Sequence, residues 1–158
     1  MTQFVLNLLL ALLWLFLGGS NSFVSFLVGY AVGFVLLWLF RAMLPQGGYV
    51  RRTLALLRFL GVFAGEFLSA NVTIARANVF GRRADLYPNF LDYDVSGLSR
   101  FEILVLSHCI TLTPGTSTVA VSDDGQTLVL HAFDARDPQA VRAGIDRGLR
   151  DPLLTFTR

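Results

Sequence analysis

The first forty residues, Met1 to Phe40, carry no charged side chain. A small soluble core cannot hide so long an apolar stretch, so the chain is expected to live in a membrane. The stretch is broken once, at Gly18-Gly19-Ser20-Asn21-Ser22, and the flanking pieces, Phe4 to Leu17 and Phe23 to Leu44, each suit a helix. Hydrocarbon about 30 Å thick takes roughly 20 helical residues at 1.5 Å each. The second piece meets that length directly. The first meets it only if Thr2, Gln3 and the small residues after Leu17 sit in the interface, or if the bilayer thins locally. Residues 1–44 therefore read as a transmembrane helical hairpin. A secretory signal peptide is not expected, because no basic residue precedes the apolar run and a second apolar run follows it.

Arginine sets the orientation. The turn at Gly18 to Ser22 is uncharged, whereas Arg41, Arg51 and Arg52 cluster just after the second span, and the positive-inside rule makes that side cytoplasmic. Both termini then face the cytoplasm, provided nothing after Arg52 crosses again. The stretch that decides this is Thr53 to Phe80, within residues 45–81, which is apolar enough to span yet holds Arg58, Glu66 and Arg76. At 100° per residue, Arg51, Arg58, Ser69, Thr73 and Arg76 fall on one side with Glu66 close by, while Leu54, Leu57, Phe63, Phe67, Leu68 and Ile74 lie largely elsewhere. Such an amphipathic helix can lie in the interface or span with its polar stripe against partner helices. The interfacial reading is favoured, since a third crossing would put the polar domain outside, against the arginine count. Glu66 has two readings: a solvated or Arg-paired carboxylate, or a proton carrier in a conduction path.

A chain of 158 residues has room for this hairpin and one small further domain. The net charge of +2 is too small to argue for nucleic acid, and the single cysteine, Cys109, excludes an internal disulfide or a cysteine-based zinc cage. Residues 82–158 change to short alternating runs split by turn residues. Asn89 to Val95 alternates as a strand, a helix runs from Leu98 or Ser99 to about Thr111, and Pro114-Gly115 stops it. Two β-rich runs, Ser117 to Ser122 and Gln126 to Phe133, flank the hairpin signal Asp123-Asp124-Gly125. Asp137-Pro138 opens a last helix that Asp151-Pro152 is expected to end, and Leu153 to Thr157 could form a fourth strand. The fold class is thus a membrane α-helical hairpin plus an amphipathic helix, then a small cytoplasmic α+β domain of ferredoxin-like βαββα(β) order.

The helix Phe101 to Leu112 has two apolar faces. Phe101, Leu104, Val105 and Leu112 make one, and Ile103, Leu106 and Ile110 the other. A helix on a one-layer sheet needs one such face, so the second must meet membrane or protein. Candidate chemistry is sparse. His108 and Cys109 point about 100° apart and cannot pair as base and nucleophile, so His108 reads as a packed side chain and Cys109 as a small buried hydrophobe. His131 has no partner at metal-ligand spacing, and no phosphate loop, dinucleotide fingerprint, zincin or nucleophile-elbow motif is present. No cofactor, catalytic residue or metal site is expected.

One segment is specific: Ile110-Thr111-Leu112-Thr113-Pro114-Gly115-Thr116, preceded by Glu102-Ile103 and followed by Val119 to Gly125 and Leu130 to Asp134. With the apolar hairpin, the amphipathic segment and the closing Asp-Pro helix, it resembles the E subunit of the multisubunit cation/proton antiporters of Mrp, Mnh or Pha type. The resemblance implies an accessory subunit of an inner-membrane complex exchanging Na⁺ or K⁺ for H⁺, with sister subunits and the lipid bilayer as its partners and ion conduction carried chiefly by larger subunits. A stand-alone membrane-anchored adaptor or sensor is the first alternative, and a membrane-bound enzyme starting from His108 the second. Within the motif, Pro114-Gly115 favours a type II turn, and Thr111, Thr113 and Thr116 can bond either helix-terminal carbonyls or a partner's backbone. A folding role and a docking role for these five residues both stay open.

Overall fold

The computed structural model describes residues 2–19, 22–43, 48–80 and 87–158, and forms two compact units, Met1–Leu54 and Ala55–Arg158. Ser20 and Asn21 of the expected turn, Leu44, and Arg82 at the expected domain start fall outside the described residues.

In the first unit, α1 (Thr2–Gly18) and α2 (Phe23–Leu39) run antiparallel in close contact. Glycines set the spacing: a Cβ at Gly29 would lie 2.7 Å from Trp14 Cβ, and one at Gly33 would collide with Asn7 Oδ1. Close backbone approach of this kind is how helices associate where lipid removes the hydrophobic drive between them. A polar knot joins the two helices to the first residue of α3 (Tyr49–Phe80): Asn7 Nδ2 donates to the Tyr49 hydroxyl at 2.9 Å, and the Tyr30 and Tyr49 hydroxyls lie 2.7 Å apart. Phe4 and Phe34 each stand edge-on to the Tyr49 ring at 6.0 Å. The second helix is shorter than its apolar run suggests. It ends at Leu39 instead of Leu44, because the ladder gives way to three-residue turns, Arg41 N to Trp38 O and Met43 N to Phe40 O. Each of the two helices has 17 residues, about 25 Å of rise.

The second unit begins inside α3, rather than at residues 81/82 where the sequence pattern changes. Phe59 is 5% exposed in one core with Leu106, Ile110, Leu130 and Leu153, and Leu56 and Phe63 pack against it. The amphipathic helix is therefore a built-in wall of the α+β unit. A small antiparallel sheet follows, of β1 (Asn89–Asp94), β2 (Thr116–Val121) and β3 (Thr127–Ala132) in the order β1-β3-β2. Alternation holds as expected in β1, whose Leu91 and Tyr93 are buried while Asp92 and Asp94 are exposed. The β2–β3 turn closes through Gly125 N to Ser122 O at 2.8 Å, with Gly125 at φ +69°. Between β1 and β2 lies α4 (Arg100–Leu112).

The expected fourth strand is absent, and Asp151-Pro152 does not end the last helix. After α5 (Pro138–Ile145) the chain widens into a π-helical turn over Asp146–Arg150 and continues as α6 (Asp151–Thr157). Proline is accommodated there as the second residue of α6, directly after the π turn, where the regular four-residue hydrogen-bond ladder has already shifted to the i−5 bond from Asp151 N to Asp146 O. Ile145, Leu149 and Leu153, at four-residue spacing, are all buried, so the helical period outlasts the Asp-Pro signal. Two side chains cover the β1 edge that a further strand would use: Arg142 Nε donates to Asp92 O at 2.8 Å and Arg150 Nη1 to Asp94 O at 3.3 Å. Closing a sheet edge with cations removes it as a template for pairing.

Gly33 and Gly61 offer a matched test of α1–α2 packing. Gly33→Ala is expected to destabilise the full chain by about 1–3 kcal/mol through overpacking against Asn7. Gly61→Ala, whose Cβ meets nothing within 4 Å, should be neutral or stabilising by up to about 1 kcal/mol from helix propensity. Thermal unfolding in detergent compares them, and equal responses would contradict the close approach.

Candidate functional site

The two-faced helix α4 is clamped at both ends, and the clamps fix which way its second face points. At the N-terminus Ser99 and Glu102 form a reciprocal capping box: Ser99 Oγ accepts from Glu102 N at 3.3 Å, and Glu102 Oε2 accepts from Ser99 N at 2.7 Å. The other carboxylate oxygen, Oε1, accepts the Thr157 hydroxyl and Arg158 Nε at 3.4 Å, while Arg158 Nη2 donates to Gly97 O. Glu102 is 4% exposed, and its carboxyl is held down to about 2, first by the Thr157 hydroxyl and then by the Ser99 N–H, against the upward push of burial. Sequence reading missed this residue, although Ser-x-x-Glu ahead of an apolar run signals it.

At the C-terminus each motif threonine donates to a carbonyl of the helix. Thr111 Oγ1 donates to Ser107 O at 2.9 Å, Thr113 Oγ1 to Cys109 O at 2.8 Å and Thr116 Oγ1 to Ile110 O at 3.2 Å. Thr111 Oγ1 also accepts from Thr118 N at 3.1 Å, tying α4 to the edge of β2. Thr116 N reaches Thr113 O across Pro114-Gly115, with Gly115 at φ +104°, which makes the expected type II turn. Ile74 of α3 lies 3.6 Å from where a Gly115 Cβ would stand. Of the two roles open to the threonines, these bonds serve the chain's own carbonyls.

Between the clamps, Leu106 and Ile110 are fully buried and Cys109 nearly so, and burial pushes the Cys109 thiol up. Phe101, Leu104 and Leu112 on the opposite face are 57%, 56% and 59% exposed. His108 lies on this outer face and is exposed, not packed; its Nδ1 bonds Leu104 O at 2.7 Å, one helical turn back. Glu66 is exposed on α3 and leans over Gly148, whose added Cβ would meet its carboxyl carbon at 2.9 Å. Neither His108 nor Glu66 bonds a second titratable group, and among the described residues no three His, Cys, Asp or Glu side chains converge as a metal site. His131 instead meets Phe90 edge-on at 5.2 Å.

Both clamps can be tested by substitution. Glu102 contributes stability that is present above its ordinary value of 4.5 and is lost as pH falls through about 2. Glu102→Gln should therefore melt below the wild type at pH 7, with the two melting curves converging as pH falls from about 4.5 toward 2. A constant gap across that window would mean the carboxylate charge is irrelevant. At the turn, Gly115→Val should cost about 1–3 kcal/mol or more from backbone strain, whereas Thr116→Ser keeps the hydroxyl and should cost less. Chemical denaturation of the full chain ranks the two.

Comparison with known proteins agrees with the motif. Residues 7–156 match the model of a family described as "Na+/H+ ion antiporter subunit". The E subunit of a Na(+)/H(+) antiporter from Bacillus subtilis is 32% identical over 137 residues, covering 87% of this chain and 86% of the relative. The corresponding E1 subunit from Staphylococcus saprophyticus is 29% identical over 153 residues, covering 94% and 95%. Among solved structures, a chain of the membrane-bound sulfane sulfur reductase, an archaeal respiratory membrane complex, superposes with a TM-score of 0.50 at 21% identity, over 85% of this chain and 84% of that one, a likeness of fold alone. With nearly its whole length matched by the family model, this chain belongs to the family of Na+/H+ antiporter E subunits.

Proposed function

We propose that this chain acts as a non-catalytic accessory subunit of a multisubunit monovalent cation/proton antiporter, holding sister subunits together while larger ones conduct the ions. The observation that carries the reading is the outer face of α4: three large apolar side chains, more than half exposed, on a helix rigidly capped at both ends. A stripe of this kind rimmed by polar residues marks a protein or membrane contact. Thr111, Thr113, Pro114, Gly115 and Thr116 then act in docking indirectly, by fixing the end of that helix. His108, exposed on that same outer face, and Glu66, exposed on α3 beside Gly148, are assigned no proton-carrying step.

In this reading α1 and α2 form a hairpin that crosses the inner membrane with both termini cytoplasmic, the bilayer adapting to two helices of about 25 Å. The βαββ succession with strand order β1-β3-β2 is the arrangement of a ferredoxin-like sheet lacking its last strand, that edge being closed by Arg142 and Arg150. Among the described residues α3 alone is long and apolar enough to cross a membrane. We nonetheless read it as interfacial, since from Phe59 to Ile74 one of its faces lies on the α+β unit. A crossing would draw that unit's charged surface into hydrocarbon, at least about 2.5 kcal/mol for each unpaired charge near the centre. Leu57, Leu68 and Val72 are left exposed to meet acyl chains.

Assembly and topology are tested separately. Leu104→Asp should cut co-purification of sister subunits at least about tenfold, the loss that about 1.4 kcal/mol produces. His108→Gln should leave both assembly and antiport largely intact. An assembled complex with Leu104→Asp, or lost exchange in an assembled His108→Gln complex, would overturn the reading. For topology, a cysteine replacing the exposed Gln139 in a Cys109→Ser background should stay unlabelled by an impermeant maleimide in intact cells and react once the membrane is opened. Labelling from the periplasmic side would exclude a cytoplasmic domain.

A further inference from the structure

Where α3 passes the π turn and α6, a cavity of about 270 Å³ opens, lined by Arg58 and Val62 from α3 and by Arg147, Asp151, Pro152 and Thr155. At about 30 Å³ per water it has room for a polar group of several heavy atoms. Two guanidinium groups from separate elements border it against one carboxylate, leaving a net positive site. Arg58 makes no hydrogen bond or ion pair with any described residue. Arg147 spends only Nε, on Ala143 O at 3.1 Å, which leaves its terminal nitrogens free to bind. The Thr155 hydroxyl is committed to Asp151 O at 2.9 Å. Paired arginines are the side chains best suited to a phosphate, whose oxygens match the planar donor fork.

The surroundings say which phosphate. On the α3 surface beside Arg58, Gly61 and Gly65 are exposed and a Cβ on either would meet nothing within 4 Å, so the backbone there is a shallow open track. At 100° per residue the exposed Leu57, Leu68 and Val72 flank that track on the side away from the α+β unit. A phosphate held by Arg58 and Arg147 thus adjoins an apolar strip along which acyl chains can lie. We propose that this cavity binds the phosphate of an anionic phospholipid, pinning the π turn and α6 to α3 at the membrane surface. The inference rests on the interfacial placement of α3.

The test uses the full-length chain purified in zwitterionic detergent, with thermal unfolding followed by far-ultraviolet circular dichroism, because both tryptophans, Trp14 and Trp38, lie outside the α+β unit. Phosphatidylglycerol at about a hundred times its dissociation constant should raise the midpoint by about 5 °C or more, and phosphatidylcholine or inorganic phosphate should not. Arg58→Gln and Arg147→Gln should each abolish the shift, whereas Arg100→Gln, outside the cavity, should keep it. Native mass spectrometry of the same samples counts retained phosphatidylglycerol, so a variant with altered intrinsic stability is still scored. An undiminished shift and undiminished lipid retention in both arginine variants overturn the proposal. A full shift with inorganic phosphate would reassign the cavity to a free anion, and an equal shift with phosphatidylcholine would reduce the effect to apolar contact. Sister-subunit co-purification is scored in parallel: lipid binding lost with assembly intact counts against this proposal alone, and periplasmic labelling of the Gln139 cysteine counts against the interfacial placement.

Discussion

Burial of one face of α4 on a three-stranded sheet is the interaction on which the rest of the α+β unit depends. Leu106 and Ile110 reach zero exposure there together with Leu128 and Leu130 of β3, and the remaining core groups around them. A sheet of three short strands is barely independent without such a cover. Side chains bond both helix ends: Ser99 and Glu102 at one, Thr113 and Thr116 at the other, with Thr111 bonding back to Ser107 O one turn earlier. Helix termini leave four donors and four acceptors without intrahelical partners, and these side chains bond some of them at each end. With Leu106 and Ile110 buried on the sheet, Phe101, Leu104 and Leu112 face outward and leave the unit with an exposed apolar surface.

The same logic of double use applies to α3. Its 32 residues divide into a stripe on the α+β core, through Phe59, Phe63 and Ile74, a polar stripe with Arg58, Glu66 and Arg76, and an exposed apolar stripe with Leu57, Leu68 and Val72. A helix needs only one apolar face to belong to a folded unit. The surplus on α3 and on α4 is consistent with a chain whose surface is finished by lipid and by other proteins.

The elements with a strong local signal were legible in the sequence. The Asp123-Asp124-Gly125 hairpin and the Pro114-Gly115 turn with its positive φ stand as expected, and so do the two faces of α4 except at Val105, which periodicity places on the outer face with Phe101 and Leu104 but which packs against the core. What escaped depended on distant partners. The Asp151-Pro152 stop signal outweighs, on a local reading, the four-residue spacing of Ile145, Leu149 and Leu153, and nothing local says that a π turn will carry the helix through proline. The hold of Arg142 and Arg150 on β1 crosses about fifty residues, as does the Glu102–Thr157 bond. Long apolar runs likewise overstate helix length, since the run to Leu44 yields a helix to Leu39. His108 reads as packed from its apolar neighbours alone, yet the face they share with it is open.

In the proposed assembly the outer face of α4 is covered by a sister subunit of the antiporter. The most direct measurement is the maleimide reactivity of Leu104→Cys in a Cys109→Ser background, comparing the isolated chain with the purified complex. Rapid labelling of the isolated chain and strong protection in the complex are expected, with protection lost when the complex is dissociated. Equal rates in the two states would contradict the account and leave the apolar face of α4 without the partner assigned to it.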